Sequence, residues 1–252
     1  MEDFFLTMDY WYQRNPGLLL LKEERAILSS LLSQKLGDVI VQMGGPSDCQ
    51  LICESPIQHQ FYCALDVLRS YVTSNVIVTD QNSLSFLPGS IDVCVLGHLL
   101  GFIANPLNLL QQLYTTLAPD GQLFVLGFNS RSLWGIKSLM SSDKGYPWSG
   151  RFHPKSVVVS WLRRCGFRVM LQKTICFRPP LCDEQRWKKL LFMEALGQMC
   201  CPNFGGAYLI LAQKYESTMT PIKSTWRSRD MRIHNGIVQG QALHISPDRT
   251  KR

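Results

Sequence analysis

The chain has 252 residues, 46% hydrophobic and 18% charged, a composition that fits a folded domain and excludes disordered and fibrous classes. Its formal net charge is +7, but about eight basic and three acidic residues lie from Lys214 onward, so the body is nearly balanced and is not a chain-wide nucleic-acid surface. Nine cysteines, an odd number with no Cys-x-x-Cys pair, exclude a disulfide framework and predict a reducing, cytoplasmic setting.

Residues 1–16 are rich in aromatics (Phe4, Phe5, Tyr10, Trp11, Tyr12), and their acidic start is unlike a signal peptide. A helix is expected over about 18–36, where Leu20, Glu24, Ile27, Leu28 and Leu31 recur at helical spacing before Gly37-Asp38 stops it. Val39 to Met43 reads as a buried strand ending in Gly44-Gly45-Pro46. Further strands are predicted at about 60–65, 75–78 and 91–96. A helix follows from Pro106, with Asn105 as its cap, and then a strand at 122–128 after the turn signal Pro119-Asp120-Gly121. The apolar stretch from Val93 to Leu110 is broken by His98, Asn105, Pro106 and Asn108, so no membrane span is expected. A helix from Pro154 to Cys165, a strand at 167–176, one helix over about 183–199 and a last strand at 206–213 complete the order. Strands alternating with helices predict an α/β fold with a doubly wound, mostly parallel seven-stranded sheet and helices on both faces. The last strands are candidates for antiparallel pairing at an edge. The expected organisation is an N-terminal aromatic segment and helix (1–37), a main domain (38–214) and a basic flexible tail (215–252).

In such a sheet, ligands bind beyond the carboxyl ends of the strands. Four ends carry chemistry: Gln42-Met43-Gly44-Gly45, Val78-Thr79-Asp80, Leu96-Gly97-His98 and Phe128-Asn129. The glycines permit close backbone approach and positive φ. Their spacing is neither a dinucleotide fingerprint nor a phosphate-binding loop. An acid such as Asp80 can accept from a ligand amine, His98 can act as acid or base, and Asn129 is a possible polar contact. The plain alternatives are a turn aspartate and a structural histidine. His153, in Gly150-Arg151-Phe152-His153-Pro154, is either a lid group or a helix-start residue.

Taken together, these segments resemble the class I S-adenosylmethionine-dependent methyltransferases. Ile91 to His98, Asn105-Pro106 with its helix, and Leu117 to Leu123 are similar to the family's fourth-to-fifth-strand stretch. Asp80 to Phe86 is similar to its "D-A-x-x-L-P-F" segment. Trp11 to Gly17, Glu24 and Asn129 to Gly135 are similar to a small bacterial, methyltransferase type 11-like branch. The resemblance implies a Rossmann-like methyltransferase fold, S-adenosylmethionine as cofactor and a small-molecule methyl acceptor. It places Met43, Gly44 and Gly45 against the cofactor's methionine part and ribose. It places Asp66 at the ribose hydroxyls, Asp80 and Leu84 at the adenine, and Gly97 and His98 beside the methyl donor, with His98 as candidate base. The sequence departs from the family at Gln42, which stands where an acid is usual, and in having two adjacent glycines in place of three spaced ones. Three other readings stay open at this point. One is a methyltransferase-like protein that binds without catalysing. Another is an RNA or DNA methyltransferase using the basic stretch Arg151–Lys189 and the tail. The last is a nicotinamide-dependent dehydrogenase. Oligomeric state is not legible.

Overall fold

The computed structural model describes residues 2–47, 50–65, 75–80, 83–141 and 145–215. Asp66 and the basic tail beyond Tyr215 lie outside the described residues, all of which fall in one compact unit. The elements are α1 (Glu2–Tyr12), α2 (Gly17–Leu32), β1 (Val39–Gly44), β2 (His59–Ala64), β3 (Val76–Val78), β4 (Ile91–Gly97), α3 (Pro106–Thr116) and β5 (Leu117–Phe128). They continue with α4 (Leu133–Met140), α5 (Lys155–Arg164), β6 (Phe167–Ile175), α6 (Glu184–Lys189), α7 (Phe192–Cys200) and β7 (Ala207–Lys214), and a single 3-10 turn covers Leu99–Gly101.

The seven strands form one sheet in the order β3-β2-β1-β4-β5-β7-β6. β1 to β5 pair in parallel, while β7 runs antiparallel to both β5 and β6. The α/β expectation and its antiparallel edge are therefore both present. The central strands are apolar on both faces because helices cover both. Along β4, Val93 and Val95 point into one core with Met8, Leu20 and Leu28 of α1 and α2. Cys94 and Leu96 point into the other, with Leu109 and Leu113 of α3 and Val158 and Leu162 of α5. The period of two along a strand thus divides one run between two cores.

Four local readings need revision. The aromatic-rich N-terminal segment carries a helix of its own, because α1 forms there and buries Met8 and Tyr12. The single helix expected over 183–199 is two, broken around Leu190 and Leu191. The predicted turn Pro119-Asp120-Gly121 sits inside β5: the register steps from Ile91↔Leu117 to Val93↔Gln122, and Asp120 takes φ 62. α4 was unforeseen; Ser132 caps it, its Oγ accepting from Gly135 N at 3.1 Å. Cys63, Cys94 and Cys176 are free and buried, as expected; burial alone pushes the Cys63 thiol up to about 12. Among the described residues no helix is long and apolar enough to cross a membrane. Among them too, no group of His, Cys, Asp and Glu could hold a metal ion.

Candidate functional site

The strand order reverses between β1 and β4, and such a switch point opens a crevice beyond the strand ends. Gly44 closes β1 and lies in register with Gly97, which closes β4. Gly44 and Gly45 both take positive φ, 71 and 70, so two left-handed residues in succession turn the chain away from the sheet. A Cβ on Gly97 would lie 2.9 Å from the Gly45 backbone, and one on Gly44 would lie 2.8 Å from the Gly97 carbonyl. A Cβ on Gly45 would lie 2.8 Å from Leu51 Cδ1. The three glycines let the two strand ends touch. The side of Gly45 and Gly97 that a side chain would fill is occupied by Leu51. Met43 is fully buried in the α3/α5-side core, so only its backbone can reach a ligand.

Gln42 does more than stand in for an acid. Its buried amide donates to Gly44 O at 3.0 Å and to Pro46 O at 2.7 Å, and its Oε1 accepts from Leu51 N at 3.0 Å. Asp9 of α1 holds the same turn from outside, accepting from Ser47 N at 2.9 Å. A carboxylate at position 42 has no proton to give the two carbonyls. Gln42→Glu is therefore expected to cost about 2–3 kcal/mol at neutral pH. The new carboxyl would hold its proton in the folded chain but not in the unfolded one, so its folded pKa lies above its unfolded value of about 4.3. The variant then binds more protons folded than unfolded, and its stability falls as pH rises from the unfolded pKa toward the folded one. Urea midpoints near pH 5 and near pH 8 check this: the gap to wild type should widen with pH, and an equal gap at both would refute the staple.

His98 follows Gly97 in a left-handed conformation, φ 52, with its N–H donating to Leu126 O of β5 at 3.1 Å. This turns the imidazole beneath α2. Its Nε2 lies 2.6 Å from Glu24 Oε1, with both side chains fully buried. The ring stacks on Phe128 at 4.0 Å between centroids. His98 Nδ1 and Glu24 Oε2 have no hydrogen-bond partner among the described residues, although both atoms are buried. A native fold rarely leaves such atoms unpaired away from a functional site. Tyr12 and Tyr146 share a hydroxyl contact of 3.2 Å nearby. Burial pushes both phenols well above their ordinary value, and the Glu24 carboxylate raises both further. Trp11 and Phe128 meet edge-to-face at 6.0 Å, and Phe128 and Phe152 stack at 4.9 Å. The result is a packed aromatic cluster with one acid and one base buried in it. A cleft of about 10 Å³, room for about one water, lies beside it between His98, Phe102, Phe128, Arg151, Phe152 and His153.

The predicted residues thus separate into two groups. Met43, Gly44, Gly45, Gly97 and His98 come together at the switch point. Asp80 is exposed just beyond β3, at the same end of the sheet but two strands from β1, about 10 Å across. Leu84 is anchored on α3, its N–H donating to Gln112 Oε1 at 2.7 Å. His153 packs edge-on against Trp161 at 4.8 Å, and burial with the nearby Arg151 lowers its pKa. Asn129 is no ligand contact: its amide donates to Asn203 O and Gly205 O, and its Oδ1 accepts from Arg131 N. Glu24 was not singled out for a role. The available signal was a charge on the apolar stripe of α2.

A family profile described as methyltransferase domain matches residues 59–125. The Escherichia coli K12 protein YafS is 27% identical over 164 residues, which is 64% of this chain and 66% of that protein, just under two thirds of its length. A chain of the complex between the Haloferax volcanii Trm112 methyltransferase activator and a methyltransferase is 17% identical with TM-score 0.57. The match covers 84% of this chain and 97% of that one. A Thermotoga maritima S-adenosylmethionine-dependent methyltransferase, described as a possible histamine N-methyltransferase, is 14% identical with TM-score 0.56, over 78% and 92%. A [4+2]-cyclase, SpnF, matches with TM-score 0.54 at 13% identity, over 77% and 80%, so proteins named for other chemistry share this fold.

Proposed function

We propose that this chain, which matches a methyltransferase-domain profile over residues 59–125 and shares the fold of S-adenosylmethionine-dependent methyltransferases, is a class I methyltransferase that methylates a small organic acceptor beside His98. When bound, the cofactor supplies an electrophilic methyl on a sulfonium whose positive charge is lost as the methyl leaves. The residues present fit such a cation. Glu24 Oε2 is a buried carboxylate oxygen with no hydrogen-bond partner among the described residues, and such a charge would attract the cation. Gly44, Gly45 and Gly97 would pass the cofactor along the backbone at the switch point. Met43 would contribute main chain only, Asp80 and Leu84 would meet the adenine, and Asp66 is assigned to the ribose.

The observation that carries this reading is the Glu24–His98 pair. Donation from Nε2 to the carboxylate leaves the lone pair on Nδ1, free to take a proton from an oxygen or nitrogen acceptor as the methyl arrives. Glu24 positions the ring and would stabilise the imidazolium that forms. The aromatic walls exclude water, and aligning donor and acceptor can lower the barrier by about 7–11 kcal/mol in favourable cases.

Leu51 favours a second reading, in which the chain keeps the fold but binds no cofactor: its methyl sits over the glycine pair, fastened there by Gln42. Calorimetric titration with S-adenosylmethionine, S-adenosylhomocysteine and NAD separates the two. The proposal expects the first two to bind and NAD not to. Binding of none, with Leu51→Ala then binding S-adenosylhomocysteine, would establish the plugged site instead.

A further inference from the structure

α4 and α7 form a face that the aromatic cluster does not use. On α4, Leu133, Ile136, Leu139 and Met140 are 45%, 53%, 87% and 80% exposed. On α7, Phe192, Leu196 and Met199 are 60%, 51% and 79% exposed, at i, i+4 and i+7. α7 buries none of its nine residues. By contrast, α5 turns Val158, Val159 and Leu162 inward. A short helix draws its stability from what its apolar stripe packs against; α7 rests on Phe177 beside Gly197, and its stripe is left more than half exposed. Between the two helices runs a groove of about 580 Å³ lined by Leu133, Ile136, Phe177, Met193, Leu196 and Phe204.

Charge says what kind of surface covers this face. Its acids are already taken: Asp183 pairs with Arg186, Glu184 with Lys188, and Glu194 with the buried Arg178. Arg131, at the groove, and Lys189, at the end of α6, form no ion pair among the described residues. The charge left over is positive. The most exposed groups, Leu139, Met140 and Met199, are flexible aliphatic or thioether side chains that can enter an acyl boundary. A protruding apolar stripe bordered by lysine and arginine is the pattern of helices that lie in a bilayer interface. We propose that the α4–α7 face seats this protein on an anionic lipid bilayer, with Leu139, Met140 and Met199 entering the acyl boundary and Arg131 and Lys189 meeting the headgroups.

Flotation of the full-length chain with vesicles tests this. Vesicles of phosphatidylcholine plus phosphatidylglycerol should carry the protein, whereas phosphatidylcholine alone should carry it at least about fivefold less well, and added salt should release it. Leu139→Ser with Met140→Ser should weaken partitioning about tenfold or more. Both residues are exposed, so an unchanged melting temperature shows that the variant is folded. Arg131→Ser with Lys189→Ser should weaken it on anionic vesicles only. No flotation, or equal flotation on both vesicle types, overturns the proposal. Flotation untouched by the apolar double variant overturns it as well, because the basic tail would then be the lipid ligand. A lipid-free dimer by light scattering that Leu139→Asp converts to monomer would make this face a contact between copies, and the proposal would fall.

Discussion

Replacing His98 with alanine is expected to lower methyl transfer by about 10²–10⁴-fold, the usual contribution of a positioned base. The rate is read as S-adenosylhomocysteine formed with whichever of a panel of phenols, carboxylic acids and amines the wild-type chain methylates. The size of the effect follows from how the ring is held. Stacking on Phe128 and a 2.6 Å contact to Glu24 fix its plane and leave Nδ1 buried without a partner among the described residues. Among the described residues, the only other imidazole at that cleft is His153, which is packed on Trp161. Removing the ring also strands a buried carboxylate, so His98→Ala should melt lower. His98→Asn keeps a donor for Glu24 and should recover much of the stability without the rate. Glu24→Gln keeps an acceptor for Nε2 but loses the charge. It should lower kcat while leaving KM for the acceptor nearly unchanged, which a merely structural role would not do. A rate in His98→Asn equal to wild type would remove His98 from the chemistry.

The sheet was legible because burial on both faces writes itself as unbroken apolar runs. Ile91 to Gly97 could be little else, and Asn105-Pro106 announces a helix start by cap and fixed φ. Where burial is decided by partners far away in the chain, the sequence was silent. α1 is helical because Met8 and Tyr12 find the aromatic cluster, which no local pattern among Phe4 to Tyr12 reveals. The partner of His98 is 74 residues away, and its only trace was a glutamate where the stripe of α2 called for a hydrophobe. Gln42 looked like a lost acid because its three hydrogen bonds go to backbone atoms two to nine residues further on, and such atoms have no letter in a sequence. The glycine turn was found, but the leucine that fills its concave side could not be foreseen.

Trp134→Ala is expected to destabilise the fold by about 3–5 kcal/mol, the cost of emptying a buried tryptophan site. The indole is 1% exposed and joins α1, α6 and the end of β5. It stacks on Phe128 at 5.8 Å and meets Trp11 of α1 at 6.2 Å, Trp148 at 6.1 Å and Trp187 of α6 at 6.4 Å. Its Nε1 donates to Arg178 O at 2.9 Å, and Arg178 in turn pairs with Glu23 of α2 and Glu194 of α7. A Cβ on Gly206 would lie 2.4 Å from the ring, so the backbone leading into β7 is moulded to this side chain. Collapse of the surrounding rings would have to move several elements at once, which puts the cost toward the upper part of the range. For a chain of this size the melting temperature should fall by about 6–20 °C. Trp134→Phe keeps a stacking face but leaves the Arg178 carbonyl without its donor, so it should cost about 1–3 kcal/mol. Denaturant midpoints of the two variants measure both figures. Because Phe128 lies between Trp134 and His98, the alanine variant should also loosen the imidazole and lower turnover beyond what its folded fraction explains. A melting shift of only a degree or two in Trp134→Ala would mean that the aromatic cluster is not the joint holding α1, α4 and α6 to the sheet.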